Sequence, residues 1–75
     1  MSQVAADGIV YDKTYNTPMM IQVTGTPVFE FDFGNGFVVV DLTVAASYPN
    51  VEFGKVKGQY KFTLSGGTAF TKQMY

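Results

Sequence analysis

The stretch FEFDFGNGFVVVDLTV, residues 29–44, decides the fold prediction for this chain. Between Phe29 and Phe33, phenylalanine alternates with acidic residues, which is the period-two pattern of a strand with one buried face. Asn35-Gly36 follows, a pair typical of the two-residue type I′ turn, and a run of valines comes after it. The stretch therefore predicts a β-hairpin with one apolar face.

The apolar pattern also predicts the register of this hairpin. A two-residue turn at Asn35-Gly36 would align each phenylalanine with an apolar residue of the second strand. The resulting pairs are Phe33–Val38, Phe31–Val40 and Phe29–Leu42. A three-residue loop would mix the two faces, so we expect the two-residue turn. One consequence is unfavourable, because Glu30 then lies opposite Asp41 and two like charges meet.

The rest of the chain also predicts short strands between turns. No segment repeats apolar residues at helical spacing, whereas turn residues recur every ~10 positions. We predict strands over 9–11, 19–24 and 68–75, and a second hairpin that turns at Lys57-Gly58. Its predicted pairs are Val56–Gln59, Phe53–Phe62 and Val51–Leu64. The predicted fold is all-β, a small antiparallel sheet, sandwich or partly open barrel of about five or six strands with two β-hairpins.

The chain of 75 residues is expected to form one small domain. Residues 1–7 are predicted to be a flexible N-terminal arm, and residues 8–75 the β-domain. Domains of this size bury little surface and often depend on disulfides, a metal or association. Cys and His are both absent, which excludes disulfides and the usual zinc sites. We therefore expect a homodimer or other homo-oligomer, or docking on a larger partner.

The composition argues against catalysis. Without His and Cys, the chain lacks the commonest general base and the thiolate nucleophile. Glu30, Asp32 and Asp41 offer carboxylates on the back of the hairpin, but no predicted cleft would shift their pKa values. The same oxygens would suit a hard cation such as calcium, yet their spacing matches no calcium loop, and a solvated polar face is favoured. We predict no enzyme activity, no cofactor and no metal.

Nucleic-acid binding is a second class to weigh. Small barrels of the OB type bind single strands with aromatic side chains flanked by cations, and residues 55–62 carry a local version of that pattern. The chain has no arginine in its sequence and a net charge of −1, so the cationic surplus of a phosphate binder is missing. An OB-like single-strand binder stays as an alternative function. With no apolar run of ~18 residues, we expect no membrane partner.

An interaction role needs no reactive group and agrees with the composition. Charged residues make up only 15% of the chain, against about 25% in soluble domains. A surface so poor in charge is either partly covered by a partner or unusually rich in Thr, Ser, Asn and Gln. Candidate partner-binding residues are tyrosines outside the predicted core and charged residues near the two hairpins. They are Tyr11, Tyr15, Tyr48, Tyr75, Glu30, Asp32, Asp41, Lys55 and Lys57.

The chain as a whole is short, free of cysteine and rich in Gly, Thr and aromatic residues, and it starts with the arm MSQVAAD. In this profile it resembles the small accessory virion proteins of tailed bacteriophages, above all head cement or decoration proteins. The resemblance is one of size and composition, so no residue role follows from it. It implies a structural viral protein, made in the host cytoplasm, that binds the major capsid protein on the outer surface of the virion. A phage-encoded inhibitor that docks on a host enzyme is a further alternative.

Overall fold

Eight short β-strands form two antiparallel sheets in the computed structural model, which describes residues 2–41, 50–54 and 56–73. The strands are β1 (Ser2–Gln3), β2 (Tyr11–Lys13), β3 (Met19–Thr24), β4 (Val28–Asp32), β5 (Phe37–Val40), β6 (Asn50–Phe53), β7 (Gly58–Thr63) and β8 (Thr68–Gln73). Sheet I has the order β1-β8-β3-β6, and sheet II has the order β2-β7-β4-β5. The predicted all-β fold is confirmed as a sandwich with more strands than expected, and the sheets do not close into a barrel.

The two sheets pack on one apolar core. Alternate residues of β3 point inward, as the sequence MMIQVT predicts, and the same alternation holds in β4 and β7. Sheet I contributes Met19, Ile21, Val23 and Ala69, and sheet II contributes Phe29, Phe31, Tyr60 and Phe62. Phe29 lies at the centre, with its ring centroid 4.9 Å from that of Phe62 and 6.0 Å from that of Tyr60. The aromatic residues of sheet II therefore dominate the core.

The predicted hairpin forms between β4 and β5, but its predicted register was wrong. Residues 33–36 make a four-residue loop, and the observed pairs are Phe29–Val40, Phe31–Val38 and Asp32–Phe37. The register differs from the prediction by two residues, an even number, so the same side chains still share the apolar face. Phe33 is the exception, because it lies in the loop with 55% of its surface exposed.

The carboxylate of Asp32 explains the longer loop. Its Oδ1 accepts hydrogen bonds from the backbone amides of Gly34, at 2.7 Å, and Gly36, at 3.2 Å. A type I′ turn would need positive φ at both Asn35 and Gly36, and only Gly36, at +97°, has it. The side chain of Asp32 thus holds a wider turn, with positive φ at Gly34 and Gly36 instead.

The new register removes the predicted repulsion between Glu30 and Asp41. Glu30 faces Val39 on β5 and Lys61 on β7. The Lys61 Nζ lies 4.0 Å from Glu30 Oε2, so the acidic residue has a cation beside it. Leu42, the residue predicted to pair with Phe29, lies outside the described residues.

The predicted second hairpin was also wrong, because its two strands belong to different sheets. β6 pairs with β3 in sheet I, whereas β7 lies between β2 and β4 in sheet II. In this position β7 sets Tyr60 opposite Phe31 and Phe62 opposite Phe29, which gathers the aromatic residues in one layer. Gly58 is not a turn residue; a Cβ there would lie 2.7 Å from the Phe31 ring, so glycine lets the two strands approach.

Residues of the predicted arm belong to the sandwich. β1 pairs with β8, the amide of Val4 donates to the carbonyl of Ala69 at 2.8 Å, and the Val4 side chain is buried. The mobility of residues 1–7 stays a prediction. The strand predicted over 9–11 lies later, over Tyr11–Lys13, while the strand predicted over 19–24 is confirmed.

Candidate interaction surface

The exposed apolar side chains of the described residues cluster around sheet II. They are Ile9, Val10, Tyr15, Val28, Phe33, Val38 and Val39. Val28, Phe33, Val38 and Val39 lie on the β4–β5 hairpin, and we call these four residues the hairpin patch. The other three flank β2 at the opposite edge of the same sheet. Several exposed apolar side chains on one hairpin are more typical of an association surface than scattered single ones are.

β5 is an edge strand and differs from the other described edges. Natural proteins protect edge strands by keeping them short or by placing charged residues in them. β1 has two residues, β2 contains Asp12 and the inward-pointing Lys13, and β6 contains Glu52. β5, by contrast, reads FVVV and contains no charge. Its outer edge is therefore suited to pairing with another strand.

The tip of the hairpin forms a shallow groove beside Phe33. The Phe33 ring packs against Phe31, with 4.7 Å between centroids, yet much of it faces solvent. The groove has a volume of about 250 Å³ and is lined by Asp32, Phe33, Gly34, Lys57, Gly58 and Gln59. We call it the tip groove. It combines an apolar ring with the exposed ammonium of Lys57, a pairing that suits an apolar side chain next to a carboxylate.

The outer face of sheet II does not assemble the predicted acidic cluster. Lys61 lies between Glu30 and the ring of Phe37, with its Nζ 4.4 Å from the ring centroid. Asp32 is occupied in capping the hairpin loop. Across residues 2–41, 50–54 and 56–73, no three acidic, His or Cys residues are placed to hold a metal ion. The cation site considered from the sequence thus has no geometric support at these positions.

The tyrosines predicted to bind a partner lie in different settings. The Tyr11 ring is half-buried and stacks on Tyr60 at 5.5 Å between centroids, and its hydroxyl accepts a hydrogen bond from the amide of Ala5. Tyr11 therefore packs within the domain. Tyr15 is exposed two residues after β2, at the edge of sheet II that lies opposite the β4–β5 hairpin. Tyr48 and Tyr75 lie outside the described residues.

The charged candidates divide in the same way. Lys57 lines the tip groove, Glu30 pairs with Lys61, and Asp32 accepts the loop amides. Asp41 is exposed directly after β5, and Lys55 lies outside the part of the chain that the structure describes. The four described charged candidates therefore all lie on or beside the β4–β5 hairpin.

Lys13 is the residue that sequence reasoning missed. Its side chain is only 2% exposed, and its Nζ donates to the carbonyls of Tyr15, Thr17 and Val56, each at 2.7 Å. Burial lowers the pKa of this ammonium, while the three carbonyls satisfy its three donors. The ammonium therefore links the loop of residues 14–17 to Val56, which lies two residues before β7. Its role is structural, because it has no exposed face to offer a partner.

A polar cleft of about 550 Å³ opens between β1 and β8 of sheet I and β2 and β7 of sheet II. At its floor the hydroxyls of Tyr60 and Thr71 share a hydrogen bond of 3.2 Å. Burial raises the pKa of the Tyr60 phenol, and the bond to Thr71 offsets part of that rise. The cleft contains no exposed apolar ring comparable with Phe33 among its described lining residues.

The raised pKa of Tyr60 gives a prediction for alkaline solutions. The unfolded state ionises this phenol near pH ~10, whereas the folded state keeps it neutral to higher pH. The stability that the neutral, buried Tyr60 phenol contributes is therefore fully present below the pKa of the phenol in the unfolded chain. That contribution is lost as the pH rises from there through the pKa of the phenol in the folded protein. We expect the free energy of unfolding of Tyr60→Phe to fall less steeply than that of the unaltered protein above pH ~10. Urea unfolding of both proteins over that pH range measures how their free energies of unfolding change with pH. Equal slopes for the two proteins would contradict the prediction.

The described residues include no helix with the length and hydrophobicity of a membrane span. No protein-family model matches the chain, and comparison with curated proteins and with solved structures finds no match either. The fold and the surface chemistry are therefore the grounds for a functional proposal.

Proposed function

We propose that the protein is a structural interaction protein, and specifically a cement (decoration) protein that binds the major capsid protein on the outer surface of a virion. The observation that carries the proposal is the one-sided exposure of apolar side chains. Every large apolar side chain that is exposed among the described residues lies on, or next to, a strand of sheet II. A protein that docks by one face and shows the other to solvent needs this asymmetry.

The outer face of sheet I carries Met20 and Phe70, which are half-buried, and its most exposed described side chains are polar. Thr24 and Lys72 are exposed on the outer side of sheet I, and the hydroxyls of Thr24 and Thr68 share a hydrogen bond there. Cement proteins must present one face to the shell and one to solvent. The concentration of strongly exposed apolar side chains on and beside sheet II supports that arrangement.

The tip groove indicates the chemistry of the docking partner. Phe33 is a large ring on a loop whose backbone Asp32 holds in place, so its position costs little entropy on binding. Aromatic anchors that enter an apolar pocket are the usual hot spots of protein interfaces. Lys57 beside it would meet a carboxylate of the partner. We infer a shell surface with an apolar pocket and an acidic rim.

The alternative of nucleic-acid binding loses its main support in the fold. Tyr60 and Phe62, the aromatic residues near the lysines, are 3% and 0% exposed, so neither ring can stack on a base. The inhibitor alternative depends on a row of free carboxylates that mimics phosphate. Glu30 has Lys61 beside it and Asp32 caps the loop, which leaves no such row on the described hairpin.

Capsids that lack the protein provide the test of this proposal. We expect the unaltered chain to bind such capsids and Phe33→Asp to bind at least ~10-fold more weakly, a change of about 1.4 kcal/mol. Thr24→Asp is the matched control, because it adds the same charge at an exposed position of sheet I. It should bind as the unaltered chain does. Absence of binding by the unaltered chain would refute the cement proposal, and loss of binding in Thr24→Asp alone would move the docking face to sheet I.

A further inference from the structure

We propose that β5 pairs with β5 of a second copy of this chain, antiparallel, about a two-fold axis perpendicular to sheet II. Two four-stranded sheets would thereby join into one continuous sheet of eight strands. The inference goes beyond docking on a capsid, since it concerns a contact between copies that forms with or without a larger assembly.

The edge strand is apolar on both of its faces. Val39 is 69% exposed on the outer face, and Val38 is 50% exposed although it lies on the core side, opposite Phe31. Sheet I therefore leaves the core side of sheet II partly uncovered at this edge. A second β5 beside the first would cover both valines and would pair the backbone groups of the edge at the same time.

The alternation of β5 selects the register of the pair. With a two-fold axis perpendicular to the sheet, directly opposed residues lie on the same face, so the core sides of both copies stay continuous. An axis at Val39 sets Val39 opposite Val39, and Val38 opposite Val40. An axis at Val38 would instead set Val40 opposite Gly36, whose φ of +97° is not that of an extended strand. The register centred on Val39 is therefore favoured.

The charges near the edge are complementary in this register. Asp41 of one copy lies opposite Phe37 of the other, and the Lys61 ammonium lies 4.4 Å from the Phe37 ring centroid. Each Asp41 thus approaches a Lys61 across the contact, and the symmetry produces this pair twice. Near the axis itself the opposed residues are valines, so no like charges meet there.

The assembly closes at two copies. The contact between the two copies occupies the free edge of β5 in both. The other edge strand of sheet II, β2, contains Asp12 and the buried Lys13. An inward-pointing charge and a length of three residues make β2 a poor strand for pairing. The fold therefore predicts dimers rather than filaments.

Engineered cysteines test the register, since the natural sequence contains none. Opposed residues of antiparallel strands have Cα atoms about 4.5–5.5 Å apart, within the range of a disulfide. We expect Val39→Cys to form a covalent dimer on mild oxidation much faster than the control Thr63→Cys, an exposed position on the outer face of β7. Faster cross-linking of Val38→Cys than of Val39→Cys would overturn the register.

Sedimentation equilibrium tests the contact itself. The unaltered protein should have twice the chain mass of 8.2 kDa, and Val39→Asp, which brings two carboxylates together at the axis beside Glu30 of each copy, should have the mass of one chain. Thr63→Asp adds the same charge on the same face and should stay dimeric. A monomeric unaltered protein at ~100 µM, or a Val39→Asp variant that remains dimeric, contradicts the proposal. No capsid is present in this experiment, so a monomeric result would not bear on the capsid-binding test.

Discussion

We expect Phe31→Asp to abolish folding. Phe31 is fully buried on β4, opposite both Val38 and Tyr60, with its ring among the aromatic residues of sheet II. Removing a buried Phe side chain costs about 3–5 kcal/mol, and an unpaired carboxylate adds several more. A domain of this size has a total stability of only about 4–11 kcal/mol. Circular dichroism should show an unfolded chain without denaturant.

Phe33→Asp is the matched control for that experiment. It makes the same substitution two residues further along the chain, at a loop position that is 55% exposed. We expect it to fold and to lose less than about 1 kcal/mol of stability. The pair also tests the hairpin register, because the two-residue turn expected from the sequence would make both positions part of the core. Unfolding of both variants would therefore support that register and contradict the four-residue loop.

Lys13→Met should lose about 3 kcal/mol or more of stability. Methionine fits the space of the lysine stem but cannot donate to the carbonyls of Tyr15, Thr17 and Val56. Those part-buried carbonyls would then lose the donor that the side chain supplies, and leaving a buried acceptor unsatisfied costs about 1–3 kcal/mol. Urea unfolding monitored by tyrosine fluorescence measures the change.

Lys72→Met provides the comparison, since Lys72 is exposed on β8. Its effect should stay within about 0.5 kcal/mol, as for most surface substitutions. If Lys13→Met were as stable as the unaltered protein, the cost of burying the ammonium would equal the gain from its three hydrogen bonds. The buried lysine would then be neutral for stability.

The sequence predicted the features that depend on local alternation. The apolar face of FEFDF, the strand MMIQVT and the hairpin between β4 and β5 follow from the period of two and from the glycines that end the strands. The apolar character of Val38–Val40 is visible in the sequence as well. What the sequence does not contain is the position of β5 at the sheet edge, which makes those valines an exposed surface.

Other features depend on contacts between distant parts of the chain. The register of the first hairpin follows from one side chain, Asp32, which accepts two loop amides in place of the expected turn. The assignment of β6 and β7 to different sheets follows from the match of Tyr60 and Phe62 with the phenylalanines of β4. Lys13 donates to a backbone carbonyl 43 positions away, at Val56, whereas its local sequence is typical of a surface residue. Propensity and spacing carry no information on such contacts.

Quantitative mass spectrometry of purified virions is the most direct test of the proposed function. The virions would come from cells infected by a phage that carries this gene, with the infected-cell lysate analysed in parallel. A cement protein should be present in the virions at a fixed ratio to the major capsid protein, and Phe33→Asp should lower that ratio. Absence of the chain from virions, while it is abundant in the lysate, would contradict the account.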